Sequence, residues 1–173
     1  RPDDGGESKP IDLDRRAALT VPRQTVSVCM IARNEEAMLH RCLKSVLHIA
    51  DEIILADDGS TDSTREIAGR YGARVFSGES PLKIGFDEAR NATVARATGD
   101  WVLWIDSDEE LLELTKIPKY LRWNMFAGYG MRQHHFSAVP ENAFKPDLPV
   151  RLFRRIWLDR QSTGIRFWGV VHE

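Results

Sequence analysis

Apolar positions along the chain fall into short runs separated by polar, turn-forming stretches. Val26-Ser27-Val28-Cys29-Met30-Ile31-Ala32 is rich in β-branched residues and predicts a strand covered on both faces. Beyond Arg33-Asn34-Glu35-Glu36, the positions Met38, Leu39, Cys42, Leu43, Val46 and Leu47 form a stripe of 3.6-residue period. That stripe predicts a helix with Asn34 as its N-cap. Glu52 to Ala56 reads as a second strand ending in Asp57-Asp58-Gly59-Ser60-Thr61-Asp62. There Gly59 permits a tight turn, and Ser60 or Thr61 is expected to cap a helix running to about Arg70. Ala73 to Phe76 is a short third strand. A loop with Gly78, Pro81 and Gly85 leads to a helix from about Phe86 to Ala97, stopped near Gly99. Trp101 to Ile105 is a fourth strand, its five apolar residues being too few for a buried helix.

Strand-helix alternation of this kind implies a doubly wound, mostly parallel sheet with right-handed crossovers. After Asp108 the pattern changes. Leu111 to Phe126 looks helical but is interrupted by Pro118, and strands are expected over Gly128 to Phe136, Val150 to Arg154 and Gly164 to Val171. Ser137 to Pro149 carries three prolines and reads as a loop. The fold class is therefore α/β, a doubly wound sheet with a β-rich C-terminal lobe. Residues 1–24 form an irregular polar arm. Residues 25–173 form one domain, with a ligand-binding half at 25–109 and a second half at 110–173.

The chemistry concentrates where strands end. Arg33-Asn34-Glu35, Asp57-Asp58 and Asp106-Ser107-Asp108-Glu109 each follow a strand, and in a parallel sheet the carboxyl ends share one edge, where ligands bind. Side chains alternate along an extended segment, so Asp106 and Asp108 are expected to point one way and Ser107 the other. Two carboxylates held together call for a cation, and oxygen-only ligands suit Mg²⁺ or Mn²⁺, which share their shell with water and phosphate oxygens. Such an edge suits a nucleoside diphosphate. Each piece also has a plainer reading. Asp106 to Leu112 is a serviceable helix start, Asp57 to Ser60 a turn with a cap, Asn34 to Glu36 a cap with acidic first-turn residues, and Arg90 a surface helix residue. His134 and His135 are neighbours in a predicted strand, face opposite sides and are read as structural.

Composition narrows the class. The chain of 173 residues has a net charge of −2 at pH 7, so no broad nucleic-acid footprint is expected. No run of eighteen apolar residues is present, hence no membrane-spanning helix is expected, and no signal peptide is visible in a chain that begins with Arg1. Cys29 and Cys42 fall in a predicted strand and helix and are expected to be buried reduced thiols.

The motifs at 26–36, Ala-Asp-Asp-Gly-Ser-Thr-Asp-Ser-Thr at 56–64, Ala-Arg-Asn-Ala at 89–92 and Gly-Asp-Trp-Val-Leu-Trp-Ile-Asp-Ser-Asp-Glu at 99–109 resemble, in this order, the family 2 glycosyltransferases of the GT-A fold. The resemblance spans about residues 25 to 173. Its late segments, Val-Arg-Leu-Phe-Arg-Arg at 150–155 and Phe-Trp-Gly-Val-Val-His-Glu at 167–173, are similar to a bacterial subgroup. The resemblance implies an inverting, metal-dependent transfer of sugar from a nucleotide-diphosphate sugar, a UDP-sugar first of all. The acceptor would be a hydroxyl on a glycan, lipid or protein in bacterial glycan or cell-envelope synthesis. It implies Mg²⁺ or Mn²⁺ held by Asp108, with Asp106 in the ribose or metal shell and His172 able to reach the metal. Ala32, Arg33, Glu35, Asp57, Asp58, Arg90, Asp106 and Ser107 are the implied nucleotide contacts, Asp58 reading the base. Glu173 is the implied catalytic base, beside Asp108. Family members usually continue past the position of Glu173, so acceptor-binding parts are expected beyond it. A cytoplasmic location, peripheral to the inner face of the membrane at most, follows from the same resemblance.

Three other readings compete. A non-catalytic sugar-nucleotide-binding domain would share the whole pocket. A receiver-type phospho-acceptor domain also gathers acidic residues at strand ends, but no Lys follows a later strand in the right setting, and the β-rich back half fits such a domain badly. A sugar-phosphate nucleotidyltransferase opens with a glycine-rich loop, whereas Ala32-Arg33-Asn34-Glu35 holds no glycine.

Overall fold

The computed structural model describes residues 23–112, 117, 121, 127–132 and 149–155. Six strands form one sheet: β1 (Val26–Ala32), β2 (Glu52–Asp57), β3 (Arg74–Ser77), β4 (Trp101–Trp104), β5 (Gly128–Gly130) and β6 (Val150–Arg154). Their spatial order is β3-β2-β1-β4-β6-β5. The first four are parallel, and β6 returns antiparallel to β4 with β5 antiparallel beyond it. The sheet is thus α/β and mostly parallel, as expected. Between β1 and β4 the described residues form four helices: α1 (Leu39–Val46), α2 (Thr64–Arg70), α3 (Pro81–Ile84) and α4 (Phe86–Val94). From β1 the chain steps outward through β2 to β3, then returns to place β4 on the other side of β1. The order reverses between β1 and β4, and the crevice at their carboxyl ends is the switch point at which open α/β sheets bind ligands.

Alternation along the strands builds a core on each face. Val28 and Met30 of β1, Leu55 of β2 and Trp101 and Leu103 of β4 meet Leu39, Cys42, Leu43 and Val46 of α1 on one side. Cys29, Ile54, Val102 and Trp104 pack with Phe153 of β6 and with Val94 of α4 on the other. Fully burying a side chain of this size contributes about 1.5 to 3 kcal/mol, so these two layers carry most of the sheet's stability. Both cysteines are free and buried, as expected. Burial pushes both thiols up, Cys42 to about 12, with nearby carboxylates adding to the effect.

Several boundaries differ from the sequence reading. α1 begins at Leu39 rather than beside Asn34, and Leu47 at its end is half exposed. Residues 81–84, read as loop, form the short helix α3 with Pro81 in its first turn, where a missing N–H costs nothing. Gly85 turns the chain from α3 into α4 at φ +92, and a Cβ there would lie 2.6 Å from Asp87 Oδ1. Residues 105–112 form no helix, so the helix-start reading of Asp106 to Leu112 does not hold. The predicted helix over 111–126, the rest of the 128–136 strand and the 164–171 strand lie largely or wholly outside the described residues. Among the described residues, no helix is long and apolar enough to cross a membrane.

Candidate functional site

Two loops at the carboxyl ends of β1 and β2 are laced together, which is not what their capping pattern predicted. Asn34 does not cap α1. It adopts φ 55, a left-handed conformation that Asn tolerates better than most residues. Its N–H donates to Ser60 Oγ (2.9 Å), and its Oδ1 accepts from Thr61 N (2.8 Å). Glu36 and Asp62 repeat the exchange. Glu36 N donates to Asp62 Oδ2 (3.1 Å), and Ser63 N donates to Glu36 Oε2 (3.0 Å). Glu35 N donates to Thr64 Oγ1 (2.8 Å). Neither Ser60 nor Thr61 caps α2; Asp62 Oδ1 accepts from Thr64 N there (3.0 Å). These backbone N–H groups would otherwise be left to water, and here each loop supplies the other's partners.

The lacing fixes where the adjacent aspartates Asp57 and Asp58 point. Asp57, expected in the nucleotide pocket, does not line it. Its carboxylate is 2 % exposed, accepts from Arg65 Nη1 at 2.8 Å and takes the N–H of Ser60. Consecutive side chains on an extended strand face opposite ways, so the turn keeps one aspartate and the cleft gets the other. Burial alone would raise the Asp57 pKa, but the hydrogen bonds from Ser60 and Arg65 outweigh it and hold the carboxyl below its ordinary value. Asp58 faces the cleft, accepts from Ser80 Oγ (3.0 Å) and lies 3.5 Å from Arg33 Nη1.

The turn after β4 forms the opposite wall. Glu109 N donates to the carbonyl of Asp106 (3.0 Å), so residues 106–109 close a turn rather than an extended segment. The backbone here is thus not the extended segment expected, although Ser107 is buried while Asp106 is half-buried and Asp108 exposed. Asp106 Oδ1 accepts from Trp104 Nε1 (2.9 Å), and its Oδ2 accepts from Arg151 Nη1 (3.0 Å). Arg90 on α4 reaches to 3.8 Å of Asp106 Oδ1. Its guanidinium lies over the Trp104 and Phe86 rings, 5.4 and 5.9 Å from their centroids, which holds it in place without discharging it.

These walls enclose an open cleft of about 440 Å³. Of the predicted contacts, Ala32, Arg33, Glu35, Asp58, Arg90, Asp106, Ser107 and Asp108 all line it. The sequence reading did not single out Pro81, Leu82, Phe86 or Trp104, which add apolar surface to the same cleft. It also assigned no role to Arg151. His172 and Glu173, expected as metal ligand and base, lie outside the described residues, as do His134 and His135. The Glu35 carboxyl is pushed up, first by burial and then by the negative charges of Asp108 and Asp62. Among the described residues, no three His, Cys, Asp or Glu side chains gather as a metal cage. A divalent ion here would therefore take Asp108 and fill its shell with water and phosphate oxygens, a mode that suits Mg²⁺. The donor set fits an ion that arrives with a phosphorylated ligand.

Residues 27–169 match the family model described as "Glycosyl transferase family 2". A TPR repeat-containing protein of Synechococcus elongatus is 47% identical over 87 residues, covering 50% of this chain and 21% of that protein. Glucosyl-3-phosphoglycerate synthase of Mycobacterium tuberculosis is 39% identical over 94 residues, covering 49% of this chain and 29% of that protein. The chain thus spans well under half the length of these curated relatives. The crystal structure of Staphylococcus aureus TarS residues 1–349 aligns with 78% of this chain and 48% of its own, with a TM-score of 0.56 and 23% identity, a likeness of fold. With the family model covering most of its length, the chain belongs to glycosyl transferase family 2.

Proposed function

We propose that residues 25–173 are the catalytic domain of an inverting glycosyltransferase that uses a nucleotide-diphosphate sugar, a UDP-sugar first of all, with the nucleotide-binding half at 25–109 and the acceptor side at 110–173. The observation that carries this reading is the convergence of Asp58, Arg90, Asp106 and Asp108 on one cleft at the switch point of the sheet. The cleft holds a carboxylate at each of two walls with a cation beside it, Arg33 by Asp58 and Arg90 by Asp106. Asp58 accepts from a base N–H. Asp106, already fixed by Trp104 and Arg151, accepts from a ribose hydroxyl. Arg33 and Arg90 offset diphosphate charge. Asp108 is the carboxylate offered to a divalent ion, Mg²⁺ or Mn²⁺, which when bound stabilises the departing nucleoside diphosphate as a Lewis acid. Inversion needs a base that takes the acceptor hydroxyl's proton on the sugar's opposite face as an oxocarbenium-like transition state forms. Glu173 is assigned that role and His172 a place near the metal, both from the motif at 167–173. The acceptor is a hydroxyl of a glycan, lipid or protein in bacterial envelope synthesis, in a cytoplasmic setting.

Titration calorimetry of the 173-residue chain with UDP, with and without Mn²⁺, tests this reading. Binding that strengthens with Mn²⁺ in the parent and loses that dependence in Asp108→Ala is the expected result. Absence of binding to UDP, GDP and dTDP alike would overturn it.

A further inference from the structure

The carboxylates in the turn after β4 are not equivalent, and the residue that distinguishes them comes from another strand. β6 runs antiparallel to β4 with Leu103 opposite Leu152, which brings Arg151, the residue before Leu152, to the carboxyl end of β4. Leu152 and Phe153 are buried and anchor the strand on both faces of the sheet. The Arg151 side chain is only 13% exposed and does not line the cleft. Its two terminal nitrogens divide between two acids, Nη1 to Asp106 Oδ2 and Nη2 to Glu109 Oε1, each at 3.0 Å. Glu109 Oε2 in turn accepts from Asp106 N (2.9 Å), closing a ring around the turn. Asp108, between the two bridged acids, is exposed to the cleft, and none of the described residues pairs with it. A fork-shaped guanidinium can hold two carboxylates in this way, whereas an ammonium cannot hold both with fixed geometry.

We propose that Arg151 is a positioning residue that partitions this acidic turn. It ties up Asp106 and Glu109, presents Asp108 as the carboxylate for a divalent cation, and keeps the turn's net charge low enough to admit an anionic diphosphate. The inference rests on the reading of the cleft as a nucleotide-sugar donor site. Its consequence is a split in sign. Without Arg151, the carboxylates around the cleft attract a bare cation more strongly and repel a free nucleoside diphosphate more strongly. A residue that merely supported the fold would weaken both ligands together.

Calorimetry on the full chain reads the split, with Mn²⁺ alone in one titration and UDP in the presence of EDTA in another. In Arg151→Gln, Mn²⁺ binds on the order of fivefold tighter and UDP on the order of fivefold weaker, the effect of one unscreened unit charge several ångströms away. Arg151→Lys returns both values toward the parent because the charge is restored. Glu109→Gln, which removes a negative charge while leaving every β6 residue in place and an acceptor oxygen for Arg151, shifts both in the opposite direction and serves should Arg151→Gln fail to fold. Parallel weakening of both ligands in Arg151→Gln, unchanged affinities, or a Glu109→Gln effect of the same sign as Arg151→Gln overturns the proposal. Parent protein that binds neither Mn²⁺ nor UDP overturns the donor-site reading itself, a result distinct from a parent that binds both while the variants show no split.

Discussion

Asp57 and Asp58 are neighbours with opposite duties, and replacing each by asparagine separates them. Asp57→Asn keeps the side chain's shape but removes the charge that Arg65 Nη1 and Ser60 N address inside the loop. Arg65 is nearly half exposed and can rehydrate, so its half of the pair is discounted. What remains is a buried acceptor set replaced by a poorer one, a cost of about 2 kcal/mol. For a chain of this length that lowers the melting temperature by about 4 to 8 °C. The pH dependence supplies an internal control. The folded Asp57 pKa lies below its ordinary 3.8, so the charge stabilises the fold above that pH, and this contribution is lost as pH falls through the folded value. The stability gap between parent and Asp57→Asn, followed by urea denaturation, therefore closes as pH falls below 3.8. Asp58→Asn should melt close to the parent yet bind UDP about tenfold more weakly, the loss expected when a charged acceptor becomes a neutral one. The reasoning is refuted if Asp57→Asn melts with the parent at pH 7, if its deficit persists unchanged in acid, or if Asp58→Asn loses stability and keeps its affinity.

Further outcomes follow from the same geometry. Asn34→Ala loses both the side-chain acceptor for Thr61 N and the residue's tolerance of φ 55, and should cost about 2 kcal/mol; Asn34→Gly, which keeps the backbone at ease, should cost roughly half as much in the same denaturation assay. Trp104→Phe keeps an aromatic ring in the core but removes the donor to Asp106 Oδ1, so UDP affinity should fall about three- to tenfold, a loss that calorimetry would detect. Cys29 and Cys42, buried and with thiols pushed far above neutral, should resist a thiol-specific chromogenic reagent at pH 8 until the chain unfolds; rapid labelling under native conditions would contradict their placement.

The sheet was legible because its signals are local. Val26 to Ala32 and Trp101 to Trp104 are apolar runs bounded by polar turns, and parallel strands place their carboxyl ends together whatever the details. Most of the cleft's polar lining followed from that single rule. What escaped the sequence depends on contacts between distant residues. Asn34 and Ser60 look like caps of their own helices, yet they satisfy backbone groups across 26 or 27 residues. No local pattern distinguishes a cap from such a lace. The same holds for Asp57, whose carboxylate is held by Arg65 in the first turn of α2, and for the turn at 106–109, which extended alternation does not describe. Arg151 lies 45 residues beyond Asp106, and only the antiparallel return of β6 brings the two together. The apolar lip at Pro81 and Leu82 was missed because a four-residue helix leaves no periodicity to read.

The most direct test of the donor-site account is a crystal structure of this chain with UDP and Mn²⁺, using the anomalous signal of manganese to place the ion. The account predicts a manganese peak at Asp108 shared with diphosphate oxygens, the base against Asp58, and Arg151 still bridging Asp106 and Glu109. Manganese held by Asp106 and Glu109 with Arg151 displaced, or UDP bound outside the cleft between β1 and β4, would contradict it.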